Sequence, residues 1–145
     1  MSIVWPAFAL VALTLAVVFR LARQRFAAAR AGRVDPRYYK VFKGEGEPED
    51  VAATARNLNN LYEMPTLFYA GIAIAFAAGR SGTLLVALAW GYVALRYAHS
   101  LIHLTTNKVI WRFRAFAASM FALLAFWAAL GWQLATGSGL VAAGP

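Results

Sequence analysis

The sequence predicts an all-α integral membrane protein whose single domain, residues 1–145, is a four-helix bundle. Hydrophobic residues make up 61% of the chain and charged residues only 14%, whereas soluble domains have about 45–50% and about 25%. The apolar residues also fall into four stretches, each near the roughly 20 residues that a helix needs to cross about 30 Å of hydrocarbon. No alternating polar pattern appears, so helices are favoured over the strands of a membrane barrel.

The predicted helices cover about residues 2–31, 50–79, 82–107 and 110–136. The first contains a long uncharged run with no basic residue before it, which is typical of a retained helix rather than a cleaved signal peptide. Pro65 lies inside the second, so we expect a bend or a loosened turn there. The third is interrupted by Arg96, His99 and His103. The fourth contains few polar residues.

Basic residues are concentrated in two of the three connections between these helices. The third connection holds Lys108, Arg112 and Arg114, the second holds only Arg80, and the first holds Arg20, Arg23, Arg25, Arg30, Arg33, Arg37, Lys40 and Lys43. The positive-inside rule therefore predicts that both termini lie outside the cytoplasm. Basic residues facing anionic lipid headgroups also account for the net charge of +8 without a nucleic-acid partner.

Polar residues form stripes on two of the predicted helices. Those of the second helix are Arg56, Asn59, Asn60 and Glu63, and those of the third are Arg96, His99, Ser100, His103 and Asn107. Spacings of three and four place each set on one helix face. A charged side chain facing lipid costs about 2.5–3.5 kcal/mol, so the stripes should face each other or a water-filled cavity. Glu63 either pairs with Arg56 or Arg96 to hold the bundle together, or leaves surplus cations that bind an anionic ligand.

Two further spacings allow a structural interpretation. His99 and His103 are four residues apart and could present two imidazoles to a metal ion. The chain has no cysteine, and hydrogen bonding within the polar face is favoured, so we predict no metal site. Gly71, Ala75 and Gly79 indicate close helix–helix contact, either within the protomer or between protomers.

Two segments carry a resemblance to a known family. The motif Arg56-x-x-x-Asn60-x-x-Glu63, followed closely by Pro65, resembles the second-helix signature of the MAPEG family, the membrane-associated proteins in eicosanoid and glutathione metabolism. The segment "LRYAHSLIHLTTNKVIWRFRAF", residues 95–116, is similar to the third helix and following basic turn of bacterial members. The similarity in size, helix number and topology extends over nearly the whole chain.

The resemblance implies a homotrimer in a bacterial inner membrane, with glutathione as co-substrate between neighbouring subunits near the cytoplasmic face. It implies glutathione-binding roles for Arg56, Asn60, Glu63, Arg96, Tyr97 and Lys108. In this family an arginine at the end of the first helix stabilises the glutathione thiolate. Arg20 and Arg23 are both candidates for this catalytic role, and the sequence does not distinguish them.

The family's chemistry suits a chain without cysteine, because glutathione itself supplies the nucleophile. A cation near the thiol favours the thiolate, which would attack an apolar electrophile or a lipid hydroperoxide dissolved in the bilayer. The sequence therefore predicts a glutathione-dependent transferase or peroxidase. A non-catalytic membrane module that binds a lipid headgroup or another anion is the alternative, and a small transporter is less favoured because no inverted repeat is present.

Overall fold

The fold is all-α, in a computed structural model that describes residues 2–42 and 46–139, apart from the side chain of Val41. Lys43, one of the basic residues of the first connection, lies outside the described residues. The helices are α1 (Trp5–Arg30), α2 (Tyr38–Val41), α3 (Glu49–Glu63), α4 (Pro65–Ala77), α5 (Thr83–Leu104) and α6 (Val109–Thr136). Of these, α1, α5 and α6 are long and apolar enough to cross a membrane. The predicted all-α fold with membrane-spanning helices is therefore confirmed at this level.

The predicted second helix is divided in the structure into α3 and α4, which meet at Met64 and Pro65. Pro65 has no backbone N–H and cannot continue the helical hydrogen-bond ladder. Met64 keeps helical dihedral angles, with φ −70° and ψ −41°, and its N–H donates to the carbonyl of Asn60 at 3.2 Å. The interruption is thus confined to one turn, and it separates a polar helix from an apolar one.

The apolar core is formed mainly by α1, α4, α5 and α6, and the most extensive helix pair is α5 with α6. Phe68 of α4 is fully buried, with its ring centroid 4.6 Å from that of Tyr92 and 5.7 Å from that of Phe126. Gly71 allows this approach, because a Cβ there would lie 2.5 Å from Cε1 of Phe126. Gly79 instead ends the helix with a φ of 64°, so the predicted small-residue contact is limited to the earlier part of the stretch.

The connection between α1 and α3 is tied to both helices by ion pairs. Nε of Arg25 lies 2.7 Å from Glu47, and Nη2 of Arg33 lies 2.6 Å from Asp50 in the first turn of α3. The hydrogen bond from Arg33 holds the pKa of the Asp50 carboxyl below its usual value. These contacts bring the end of α1 and the start of α3 together at the polar end of the molecule.

Candidate functional site

A cavity of about 360 Å³ lies between α3, α5 and α6 and is called the cleft below. Its lining consists of two arginines, two histidines, one asparagine and three apolar side chains: Arg56, Asn60, His99, His103, Val109, Arg112, Phe113 and Phe116. No carboxylate is among these lining residues. The cleft therefore combines an apolar wall with polar groups that are cationic or able to accept a proton, which suits an amphipathic anion.

Arg96 lies directly behind the cleft and is completely buried. Its Nη2 donates to the side-chain oxygen of Asn60 and, at 3.3 Å, to the Asn60 carbonyl oxygen. Its guanidinium carbon is 6.0 Å from the ring centroid of Phe116. Within the described parts of the chain, Nε and Nη1 of Arg96 have no hydrogen-bond partner. A buried guanidinium without a counter-ion is costly, so this position favours binding of an anion nearby.

The two cleft histidines differ in how they are held. Nδ1 of His99 lies 3.1 Å from the carbonyl oxygen of Arg112, and Nη1 of Arg112 donates to the side chain of Asn107 at 2.7 Å. A carbonyl oxygen only accepts, so the Nδ1 of His99 carries the proton and its Nε2 is left as the acceptor. Nδ1 of His103 has no partner in the described residues.

A second buried polar contact joins α3 to α5. The Ser100 hydroxyl donates to the side-chain oxygen of Asn57 at 3.2 Å, and both residues are almost completely buried. Together with the Arg96–Asn60 contact it fixes the polar face of α3 against that of α5. The prediction that the two polar stripes face each other is therefore confirmed for Asn60 and Arg96, whereas Ser100 meets Asn57, a residue outside the predicted stripe.

A second cavity, of about 290 Å³, adjoins the cleft toward the polar end of the molecule. Its lining is mostly polar: Arg20, Gln24, Glu49, Asp50, Ala53, Thr54, His103, Leu104, Thr105 and Asn107. Nη2 of Arg20 donates to the carbonyl of Leu104 at 3.2 Å. His103 lines both cavities and so forms part of the boundary between them.

The remaining predicted site residues do not line the cleft. Glu63 is exposed at the end of α3, and among the described residues it forms no ion pair, so of the two alternatives the pairing with Arg56 or Arg96 is not seen. Tyr97 donates its hydroxyl proton to the carbonyl of Ala9 on α1 at 2.8 Å. Lys108 is exposed where α6 begins, and Arg23 is exposed on α1 without lining either cavity.

Sequence reasoning missed two residues that help to build the site. By sequence, Arg112 belongs to the basic third connection, although its position one turn inside α6 places it opposite the polar face of α5. Asn57 is not among the residues of the predicted stripe. Its spacing of three from Asn60 places it on a neighbouring part of the same helix face, and this spacing was the available signal.

One comparison with known protein families covers nearly the whole chain. The sequence model of the MAPEG family matches residues 3–132. This span includes every residue of the cleft and of the second cavity. No curated protein and no solved structure matches the chain.

Proposed function

Because this chain belongs to the MAPEG family, we propose that it is a membrane-bound, glutathione-dependent transferase or peroxidase. The observation that carries the proposal is the cleft: it is lined by Arg56 and Arg112, has the buried Arg96 behind it, and contains no carboxylate among its lining residues. Glutathione carries two carboxylates and one ammonium group at neutral pH. A cleft with surplus positive charge suits such a ligand better than a neutral one.

The proposed ligand contacts divide by charge. Arg56 and Arg112 pair with the carboxylates, and Asn60, held in place by Arg96, donates from its amide nitrogen. Glu63 is exposed at the end of α3, outside the cleft, and in this proposal it accepts from the ammonium group where neighbouring protomers meet. Tyr97 and Lys108 lie outside the cleft of one protomer, so in this proposal they contribute only where neighbouring protomers meet.

The proposed chemistry begins with the glutathione thiol, since a free thiol has a pKa of about 8.5 and is mostly protonated at neutral pH. A nearby guanidinium stabilises the thiolate. Of the two catalytic candidates, Arg20 is favoured over Arg23 because it lines the cavity that adjoins the cleft.

In conjugation, the electron pair of the thiolate sulfur forms a C–S bond as the leaving group departs with its own bonding pair. In peroxide reduction, the thiolate attacks the terminal peroxide oxygen, the O–O bond breaks, and the alkoxide leaves and takes up a proton to become the alcohol. The sulfenic acid formed on sulfur then reacts with a second glutathione to give the disulfide and water.

The proposed setting is a homotrimer of four-helix protomers in a bacterial inner membrane, with both termini outside the cytoplasm. The polar ends of α1 and α3 and the basic connection then lie at the cytoplasmic surface, where glutathione is available. The apolar cleft residues Val109, Phe113 and Phe116 lie on α6. They provide a wall along which an electrophile or a lipid hydroperoxide could approach from the bilayer.

The second candidate is a non-catalytic module that binds a lipid headgroup. The observation that favours it is the composition of the cleft wall, because Val109 and Phe113 are 67% and 62% exposed while the opposite wall is cationic. An anionic headgroup with its acyl chains against these side chains would satisfy the same charges. This function requires no thiolate and therefore no role for Arg20.

Calorimetry with detergent-purified protein separates the two functions. We expect glutathione to bind, and Arg56→Ala to weaken binding at least about tenfold, in line with the loss of a charge-assisted contact. The matched control is Arg30→Ala, an exposed arginine that lines neither cavity. Glutathione-dependent conjugation of a chromogenic aryl halide would support the enzyme. Binding of glycerol phosphate without any affinity for glutathione would support the headgroup module and overturn the enzyme.

The role of Arg20 has a separate test. Ultraviolet titration of bound glutathione should show a thiol pKa below the value of the free thiol, and Arg20→Ala should return it toward about 8.5. The same titration in Arg23→Ala serves as the comparison. An equally low pKa in Arg20→Ala, or an unchanged pKa in the unaltered protein, would reject the assignment.

A further inference from the structure

This inference rests on the proposed function. For that function, the cleft must contain a group that accepts the proton released by the glutathione thiol. Forming a thiolate releases a proton, and stabilising the anion with arginines does not provide a group that accepts it. The described lining of the cleft contains no carboxylate, and its arginines remain protonated. The imidazoles of His99 and His103 are the lining groups with a ring nitrogen that can accept this proton.

The two imidazoles are not equivalent as carriers. His99 is held through Nδ1 by the carbonyl of Arg112, and it lines the cleft but not the second cavity. His103 lines both cavities, is 6% exposed, and has an Nδ1 without a partner among the described residues. A side chain that carries a proton from one compartment to another must reach both, and His103 meets that requirement.

The second cavity leads toward water. Glu49 and Asp50 line it from the first turn of α3, and both are exposed beside the polar connection. Arg20 lines it from α1, while Arg56 and Arg112 face His103 across the cleft from α3 and α6. The cleft side thus carries two arginines and no lining carboxylate, which disfavours a charged imidazolium there. The second cavity carries Arg20 together with Glu49 and Asp50, and Asp50 is paired with Arg33, so its net charge is less positive than that of the cleft. This arrangement of charge gives proton transfer a direction out of the cleft.

We propose that His103 accepts the proton of the glutathione thiol in the cleft and releases it to water in the second cavity. In the first step the S–H bond breaks, its electron pair stays on sulfur, and a neutral nitrogen of His103 gains the proton. In the second step the imidazolium gives an N–H proton to water in the second cavity, and the neutral imidazole is regenerated. The net change is one thiolate in the cleft and one proton in solution, with no oxidant or further reactant.

Rapid-mixing experiments with the full chain in detergent test this transfer. Ultraviolet absorbance follows thiolate formation after glutathione is added, and an indicator dye in weak buffer follows proton release. We expect His103→Gln to bind glutathione within about threefold of the unaltered protein but to slow both signals at least about tenfold, because a positioned general base contributes about 10²–10⁴-fold. Added imidazole should restore part of the rate. Thr106→Ala, an exposed residue that lines neither cavity, is the matched control.

The unaltered protein provides a test that does not depend on the folding of a variant. An internal acceptor predicts a thiolate rate that is independent of buffer concentration, and a rate that rises in proportion to buffer would overturn the proposal. Normal binding with a normal thiolate rate in His103→Gln would also overturn it while leaving the proposed function intact. Failure of the unaltered protein to bind glutathione in calorimetry would overturn the proposed function and this transfer together.

Discussion

The Arg96–Asn60 contact is the residue-level feature on which the cleft depends. Arg96 is fully buried, and its guanidinium meets no carboxylate within the described chain. Asn60 accepts from it twice, through its side chain and its backbone carbonyl. The asparagine therefore both compensates part of the desolvation of the arginine and presents its own amide to the cleft. Stability and ligand binding are coupled at this one side chain.

Asn60→Ala should reduce stability by about 1–3 kcal/mol, because it leaves a buried charged donor without its side-chain acceptor. It should also weaken glutathione binding, since the Asn60 amide faces the cleft. Thermal unfolding in detergent and calorimetry measure the two effects. The control is Asn59→Ala, which removes a neighbouring exposed amide and should change stability by no more than about 0.5 kcal/mol. Equal losses in both variants would contradict the role given to Asn60.

The periodicity of the sequence was sufficient to predict the contact between Asn60 and Arg96. Spacings of three and four placed Asn60 and Arg96 on facing helix faces, and the structure brings them into contact. Periodicity does not show how far a helix face turns toward a neighbouring helix. Glu63 lies on the same stripe as Asn60, yet its side chain is exposed. Periodicity also does not show contacts between distant segments. The hydroxyl of Tyr97 on a carbonyl of α1, and Arg112 opposite His99, depend on tertiary packing that no local pattern encodes.

At the scale of elements, the contrast between α3 and α4 shows how one chain segment serves two environments. Pro65 interrupts the hydrogen-bond ladder at the point where polar residues give way to apolar ones. α3 turns its polar face toward α5, whereas α4 packs through Phe68 and Gly71 against α5 and α6. The proline made a bend or loosened turn at this point predictable from sequence, although the sequence predicted one helix over about 50–79 and the structure has two. Which face of α4 meets α6 was not predictable, because its residues are apolar on every side.

Gly71→Ala should destabilise the packing of α4 on α6 by about 1–3 kcal/mol, the usual cost of overfilling a packed interface. The added Cβ would lie 2.5 Å from Cε1 of the fully buried Phe126, so a ring or a helix must move. Gly91→Ala is the matched control, because no atom lies within 4 Å of its added Cβ. Alanine there should stabilise the helix by up to about 1 kcal/mol. Unfolding temperatures in detergent compare the pair, and a lower value for Gly91→Ala alone would contradict the described packing.

The ion pair between Arg33 and Asp50 predicts that acid loosens the connection from α3. Because the folded-state pKa of Asp50 is lowered by its hydrogen bond from Arg33, the contribution is complete above the ordinary carboxyl pKa of about 3.9. It is lost as the pH falls through the lowered value. Hydrogen exchange of residues 31–37, corrected for intrinsic rates, should rise over that range.

Asp50→Asn separates this ion pair from general acid effects. It should give the faster exchange already at neutral pH and remove the acid step. Glu49→Gln is the control, because Glu49 is a neighbouring exposed carboxylate without an ion pair among the described residues. Unchanged exchange at neutral pH in Asp50→Asn would show that the ion pair does not hold the connection.

At the scale of the whole molecule, one protomer does not bring all of the predicted glutathione-binding residues into one cavity. Arg56 and Arg20 line different cavities that share His103, while Glu63, Tyr97 and Lys108 lie outside both. A ligand that contacts all of the residues implied by the family resemblance needs more than the cleft of a single protomer. The proposed trimer supplies this, because a cyclic arrangement places the same two surfaces of neighbouring protomers against each other.

Mixed trimers of Arg20→Ala and Arg56→Ala protomers decide whether a site is shared. Each variant alone should lose most of its glutathione-dependent activity. If every site takes Arg56 from one protomer and Arg20 from the next, any cyclic trimer that contains both variants has a single junction where the two intact arginines meet. The two variants carry different tags, so trimers that contain both variants can be purified through both tags. With cyclic symmetry, these trimers should have about one third of the activity of the unaltered protein. A site built within one protomer has no intact copy in such a trimer and should recover none. Trimers that mix Arg56→Ala with the unaltered chain control for assembly, and full activity in Arg20→Ala alone would instead contradict the catalytic role of Arg20.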